Sequence, residues 1–187
     1  MKTLLFIFVL VPMMAQAQLG VHAGMTHSYW SNYTISVDQS DPGIFAFGGI
    51  SYTMRDFAIP FRAELNYNGR SIAYSGTIED SEFSAKELFH SLELPLLFLI
   101  EGSWMDYFIG PSFNYTVALS QEITLGDQAT NQTFTDDIDN FDYGLIMGIG
   151  RDIGPIGIHA RWRFTYSRFS DNSYMNYGQL AISYSMF

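Results

Sequence analysis

Residues 88–119 read LFHSLELPLLFLIEGSWMDYFIGPSFNYTVAL, two extended apolar arms joined by Glu101-Gly102-Ser103-Trp104. In the first arm Leu88, His90, Leu92, Leu94, Leu96, Phe98 and Ile100 share one parity, opposite Glu87, Ser91, Glu93 and Pro95. In the second, Met105, Tyr107, Ile109, Pro111, Phe113, Tyr115, Val117 and Leu119 stand opposite Asp106, Gly110, Ser112, Asn114 and Thr116. Successive strand side chains point to opposite faces, so this is a period of two and not the helical 3.6. Each arm is at least as long as the roughly 9–11 residues that a tilted strand needs to cross a bilayer. The spacing predicts an antiparallel hairpin with one greasy face and one face of small and ionised groups, the repeating unit of a membrane barrel.

Six further segments extend the pattern. Leu19 to Tyr29 sets Leu19, Val21, Ala23 and Met25 against Gly20, His22, Gly24, Thr26 and Ser28. Ile44 to Met54 has competing parities, Phe45 and Phe47 against Ile44, Ala46, Ile50 and Tyr52. From Phe57 the alternation is cleanest, with Ile59, Phe61, Ala63, Leu65 and Tyr67 opposite Arg62, Glu64, Asn66, Asn68 and Arg70. Phe141 to Gly150, Ile156 to Tyr166 and Tyr177 to Phe187 complete the set. Long connections at Ser31 to Pro42, Ser75 to Lys86, Gln121 to Asn140 and Arg168 to Tyr174 alternate with short ones at Arg55-Asp56, Glu101 to Trp104 and Arg151 to Pro155. The expected fold is all-β: an eight-stranded antiparallel up-and-down transmembrane barrel, with the N-terminus and short turns periplasmic and the long acidic loops extracellular. Pro60, Pro95 and Pro111 sit within strands, where proline marks an unpaired or bulged position.

Alternation alone does not say which face looks outward, since a soluble lipocalin-type barrel has its apolar face inside. Charge placement decides for the membrane. Arg62, Glu64, Arg70, Glu93, Asp106, Asp142, Arg161 and Arg163 all fall opposite the large apolar residues. On a lipid face each midplane arginine would cost roughly 2–4 kcal/mol; turned inward, four basic and four acidic groups neutralise one another. Gly20, Gly24, Gly110, Gly144 and Gly148 share that face and would leave room for the arginines. An eight-stranded barrel is just wide enough for side chains to fill, so Arg62, Glu64, Glu93, Arg161 and Arg163 are expected to form a stiffening plug and not a pore lining. Tyr29, Trp30, Tyr67, Trp104, Tyr107, Tyr115, Tyr143, Tyr166 and Tyr177 lie towards segment ends, as membrane interfaces favour.

Residues 1–17 read as a secretory signal, with Lys2, an apolar core from Leu4 to Val11 and the small-x-small site Ala15-Gln16-Ala17. The remaining residues, 18–187, are a single domain by length. No cysteine exists for a disulfide, thiolate metal site or lipid anchor. The formal net charge of −10 argues against nucleic acid. No cofactor motif is present. Asp136, Asp137 and Asp139 form an acidic stretch that is a weak divalent-cation motif, lacking the glycine and terminal glutamate of an EF-hand. A lipid hydrolase needs serine, histidine and carboxylate on one face. The local strand version, His-x-Ser, is missing: Gly24, Tyr29, Leu92 and Arg161 follow the four histidines at that spacing.

Leu92-Glu93-Leu94-Pro95-Leu96-Leu97 is similar to the L-E-I-P-L-L of the small outer-membrane β-barrel domain of Bacteroidota often called PorT-like. Ile109-Gly110-Pro111, Ala63-Glu64-Leu65-Asn66-Tyr67 and Asp142-Tyr143-Gly144-Leu145 support the resemblance, which covers the chain after the signal. It implies an eight-stranded outer-membrane barrel contacting lipid and lipopolysaccharide and inserted by the barrel-assembly machinery. An unidentified envelope protein partner and a part in a secretion or gliding apparatus are implied with it. At the C-terminus Leu180, Ile182, Tyr184 and Met186 are in phase with the lipid face, and Phe187 is one residue out.

Overall fold

The computed structural model describes residues 17–31, 39–55, 58–78, 81–126, 128–135, 141–166 and 174–186. Residues 1–16 of the proposed signal and the Asp136, Asp137 and Asp139 stretch lie outside them, and Ala17, the last residue of that signal, opens the first strand. The strands are β1 (Ala17–Ser31), β2 (Gln39–Pro42), β3 (Ile44–Met54), β4 (Phe61–Ile78), β5 (Ser81–Ile100), β6 (Asp106–Leu125), β7 (Gln128–Phe134), β8 (Phe141–Ile153), β9 (Ile156–Thr165) and β10 (Tyr174–Ser185).

Eight of these close a ring in chain order, β1-β3-β4-β5-β6-β8-β9-β10, every neighbour antiparallel. The ring shuts where β10 meets β1, in register from Gly20↔Ser185 to Ser31↔Tyr174. The expected barrel is therefore present. Its outer wall carries the greasy parity, with Leu92, Leu94, Leu96, Phe98 and Ile100 all exposed, whereas Glu93, Ser91 and Leu97 beneath them are buried. β3 resolves its competing parities by turning Phe47 inward and Ile44 and Ile50 outward.

Three expectations change at the long-connection end. Ser75 to Lys86 is not a loop, because β4 and β5 pair without a break from Asn66↔Glu93 up to Ile78↔Ser81. Gln121 to Asn140 is not wholly irregular, since β6 runs on to Leu125 and β7 folds back along it. β2 likewise pairs with β4 inside the expected first loop. Past the greasy wall no apolar parity is enforced, so these ladders, held by backbone hydrogen bonds and polar contacts such as those that Tyr74 and Gln121 donate to Glu87 at 2.9 Å, leave no alternation to read. The result is a five-stranded sheet, β2-β4-β5-β6-β7, standing above the barrel rim, with Asp41, Ala73, Lys86, Glu122 and Asn131 aligned in one cross-strand row.

Irregularities have local causes. The β5–β6 register passes from Ser91↔Thr116 to His90↔Ala118, leaving Val117 as the extra residue of a bulge. Above it β6 swaps faces, so Leu119, expected on the lipid face, packs inward on Ile72, Phe89 and Met175. The ladder between β4 and β5 skips from Ala63↔Leu96 to Asn66↔Glu93, opposite Pro95. That between β5 and β6 skips from Pro95↔Ser112 to Phe98↔Ile109, opposite Pro111. Each gap sits where a proline has no N–H to donate. β4 starts at Phe61 and not Phe57, after Pro60, whose carbonyl accepts from Leu99 N at 2.8 Å.

Candidate functional site

The interior of the barrel is the first place to look for chemistry, and it is filled in layers. At the projecting end the apolar group Ile72, Phe89, Leu119 and Met175 caps the bore. Below it lies the main ionic layer. Arg163 on β9 donates through Nη2 to Asp142 on β8, lies 3.4 Å from Glu93 on β5, and donates to Thr165 Oγ1 at 2.9 Å. Arg70 on β4 reaches Asp142 from the other side at 3.6 Å and donates to Ser91 at 3.0 Å. Asn114 donates to Asp142 Oδ2 at 2.8 Å, and Ser112 donates to Glu93 at 2.7 Å. Tyr177 also donates its hydroxyl to Glu93. Its ring lies 5.5 Å from the Arg163 guanidinium and 5.8 Å from that of Arg70, near enough for cation–π attraction.

A second layer follows towards the short turns. Arg161 donates to Glu64 at 2.5 Å and lies 5.1 Å from the Phe47 ring. Asn66 donates to Glu64 at 3.1 Å, and its carbonyl meets His22 Nε2 at 2.7 Å. Leu97, Leu99, Phe108 and Ile146 fill the bore alongside. A void of about 10 Å³ beside Arg62, Glu64, His159 and Arg161 has room for one water.

Of the eight expected interior charges, Glu64, Arg70, Glu93, Asp142, Arg161 and Arg163 are buried in these two layers. Each cation there has an anion, the condition under which burial is tolerable. Arg62 and Asp106 are placed differently, in a polar mouth of about 390 Å³ at the short-turn end. Arg62 lies 3.7 Å from Asp152, and Asp106 accepts from Gly102 N at 3.3 Å. Both stand beside turns, where the bore opens to solvent. Arg55 completes the rim, bridging Glu101 at 2.8 Å and Asp152 at 2.6 Å.

Further corrections concern what fills the space. The room left by Gly24 and Gly148 is taken by the Phe47 and Phe108 rings, not by arginines, since a Cβ at either glycine would run into the ring. Tyr177, expected at a membrane interface, is fully buried. Its odd parity, opposite Leu180 and Ile182, is the signal that marks it as inward.

One serine–histidine pair does form across strands, with His159 Nε2 2.9 Å from Ser183 Oγ at the mouth. Asp152 approaches that same nitrogen, at 3.5 Å. A relay needs the carboxylate on the opposite nitrogen, leaving Nε2 free to take the serine proton. The arrangement therefore ties strands together and lacks that relay geometry. His22 and His90 are likewise held by side-chain partners, Asn66 and Tyr67. Among the described residues no group of three or more metal-ligating side chains is placed to hold a metal.

Comparison with known proteins agrees with this geometry. The family model described as outer membrane protein beta-barrel domain matches residues 14–171. Among solved structures, Ail, the attachment invasion locus protein of Yersinia pestis, is similar at 10% identity and TM-score 0.56 in its complex with the heparin analogue sucrose octasulfate, covering 91% of this chain and 99% of that one. Ail alone gives 12% identity and TM-score 0.52 over the same shares of the two chains. Neisserial surface protein A gives 13% identity and TM-score 0.48, with 91% and 99% covered. No curated protein sequence matches significantly. A closed eight-membered ring, a greasy wall, a self-neutralised interior and a family match over most of its length lead to one conclusion: the chain belongs to the outer membrane protein beta-barrel domain family.

Proposed function

We propose that this chain is a plugged outer-membrane barrel that holds an interaction platform outside the cell, and that it does not conduct solutes. The observation that carries this reading is the contrast between the two ends. The bore is closed by ionic and apolar layers, whereas β4, β5 and β6 run on past it into an exposed five-stranded sheet. In this reading residues 1–17 direct export, the assembly machinery inserts the barrel, lipid and lipopolysaccharide surround it, and the short turns face the periplasm.

Charge narrows the class of partner. Residues 32–43, 71–90, 117–140 and 166–176, the upper strand segments and the sequence that joins them, hold twelve acidic residues and two basic ones. The six charges of the two buried layers cancel, so nearly the whole net charge of the chain belongs to these stretches. The Ail structure contains a sulfated sugar analogue; an end so acidic repels polyanions and favours cationic partners.

The chain has no cysteine, which makes the test direct. In intact cells, a membrane-impermeant maleimide should label Thr124→Cys on the projecting sheet and spare Gly154→Cys at a short turn. The reverse labelling would overturn the reading. A second reading, accessory to a secretion or gliding apparatus of the PorT-like group, is favoured by the Leu92-Glu93-Leu94-Pro95 motif. In it, deletion of the gene would impair export of other proteins.

A further inference from the structure

We propose that β7 is a docking strand, whose open edge takes up an extended basic segment of a second protein by strand addition. The inference rests on the reading of the projecting sheet as an outside interaction platform, and names its partner class. Among the described residues β7 pairs with β6 alone, regularly from Leu119↔Phe134 to Leu125↔Gln128. Its other edge therefore presents backbone N–H and C=O groups, and all seven of its residues are exposed.

Edge strands are normally blunted by proline, lysine, a bulge, an inward charge or very short length. The opposite margin of this sheet follows the rule: β2 has four residues and ends at Pro42. β7, Gln-Ala-Thr-Asn-Gln-Thr-Phe, has neither charge nor proline, and its register is unbroken. An edge left open on one side of a sheet and closed on the other is a template for strand addition, in which main-chain hydrogen bonds supply affinity. Seven residues span about 23 Å, enough for a strand of ordinary length.

The surroundings choose the occupant. Glu122 faces Asn131 across the β6–β7 ladder, with Glu82 and Glu87 on the next strand, and Lys86, opposite Glu122, is the one described lysine or arginine in the projecting part of the sheet. A second copy would bring the same excess of negative charge to the edge, which opposes self-pairing. Thr130 and Gln132 on one face and Asn131 and Thr133 on the other suit a polar strand better than a greasy one. A cationic, polar, extended segment meets every one of these conditions.

The test uses the full chain folded in lipid nanodiscs and two probes: a nine-residue peptide alternating lysine and threonine, and the same peptide with proline at its centre. The first should bind and slow amide exchange across residues 128–134, with affinity falling as salt rises. The proline peptide should bind at least about tenfold more weakly. So should the first peptide to the Thr130→Pro/Asn131→Pro variant, whose barrel is checked by heat-modifiable migration. Equal binding of the two peptides, or binding without protection of 128–134, reduces the effect to adhesion on an acidic surface and overturns the proposal. A dimer that the double proline variant abolishes would make the occupant a second copy and overturn it too. Because the maleimide experiment reports on orientation alone, the platform reading survives or falls independently of these results.

Discussion

Arg163 shows what a guanidinium needs in order to sit inside a barrel wall. Two carboxylates, Asp142 and Glu93, flank it, and a tyrosine ring lies beside it. Arg163→Ala would leave both carboxylates buried with one counter-charge fewer, a loss of about 3–5 kcal/mol. Urea unfolding in liposomes should show that drop, with Arg163→Lys recovering part of it. Tyr177→Phe removes a donor from Glu93 while keeping the ring, and should cost about 1–3 kcal/mol in the same assay. The arginines and acids were legible from parity, because an ion on the lipid side is so unfavourable that its face is dictated. Tyr177 was harder, since tyrosine is equally at home at a membrane interface. The His159–Ser183 contact was out of reach, because register between β9 and β10 is a relation between strands and leaves no trace along either.

At the scale of elements, legibility ends where the lipid ends. Leu88 to Ile100 and Tyr107 to Val117 alternate because hydrocarbon on one side and a packed bore on the other constrain every residue. Above the rim only the ladder continues, so β7, the end of β4 from Ser75 and the start of β5 to Lys86 read as loops. The Val117 bulge was invisible for a related reason. It leaves a run that still looks alternating, from Tyr107 to Leu119, while reversing the sense of everything after it. Deleting Val117 should restore unbroken pairing and keep Leu119 opposite Phe89 on the inward face. Ile72, Phe89 and Met175 would retain that neighbour. Hydrogen exchange should then slow around residues 116–119, with the lower barrel unchanged.

For the whole molecule, the two buried ionic layers and the apolar cap predict a barrel without steady conductance in planar bilayers; sustained ion-selective steps would contradict it. The wall makes its own prediction. Leu94, 43% exposed in the middle of β5, faces hydrocarbon, so Leu94→Arg should destabilise by about 2–4 kcal/mol, whereas Thr124→Arg on the projecting sheet should have little effect. The seam between β1 and β10 has a consequence for biogenesis. The twelve rungs that shut the cylinder join its first strand to its last. No fragment lacking β10 can therefore complete the ring, and zippering must wait until that strand has been made. Such remote pairing carries a high loop-closure cost and a slow rate. The chain must consequently stay an unsealed ribbon until its final strand arrives.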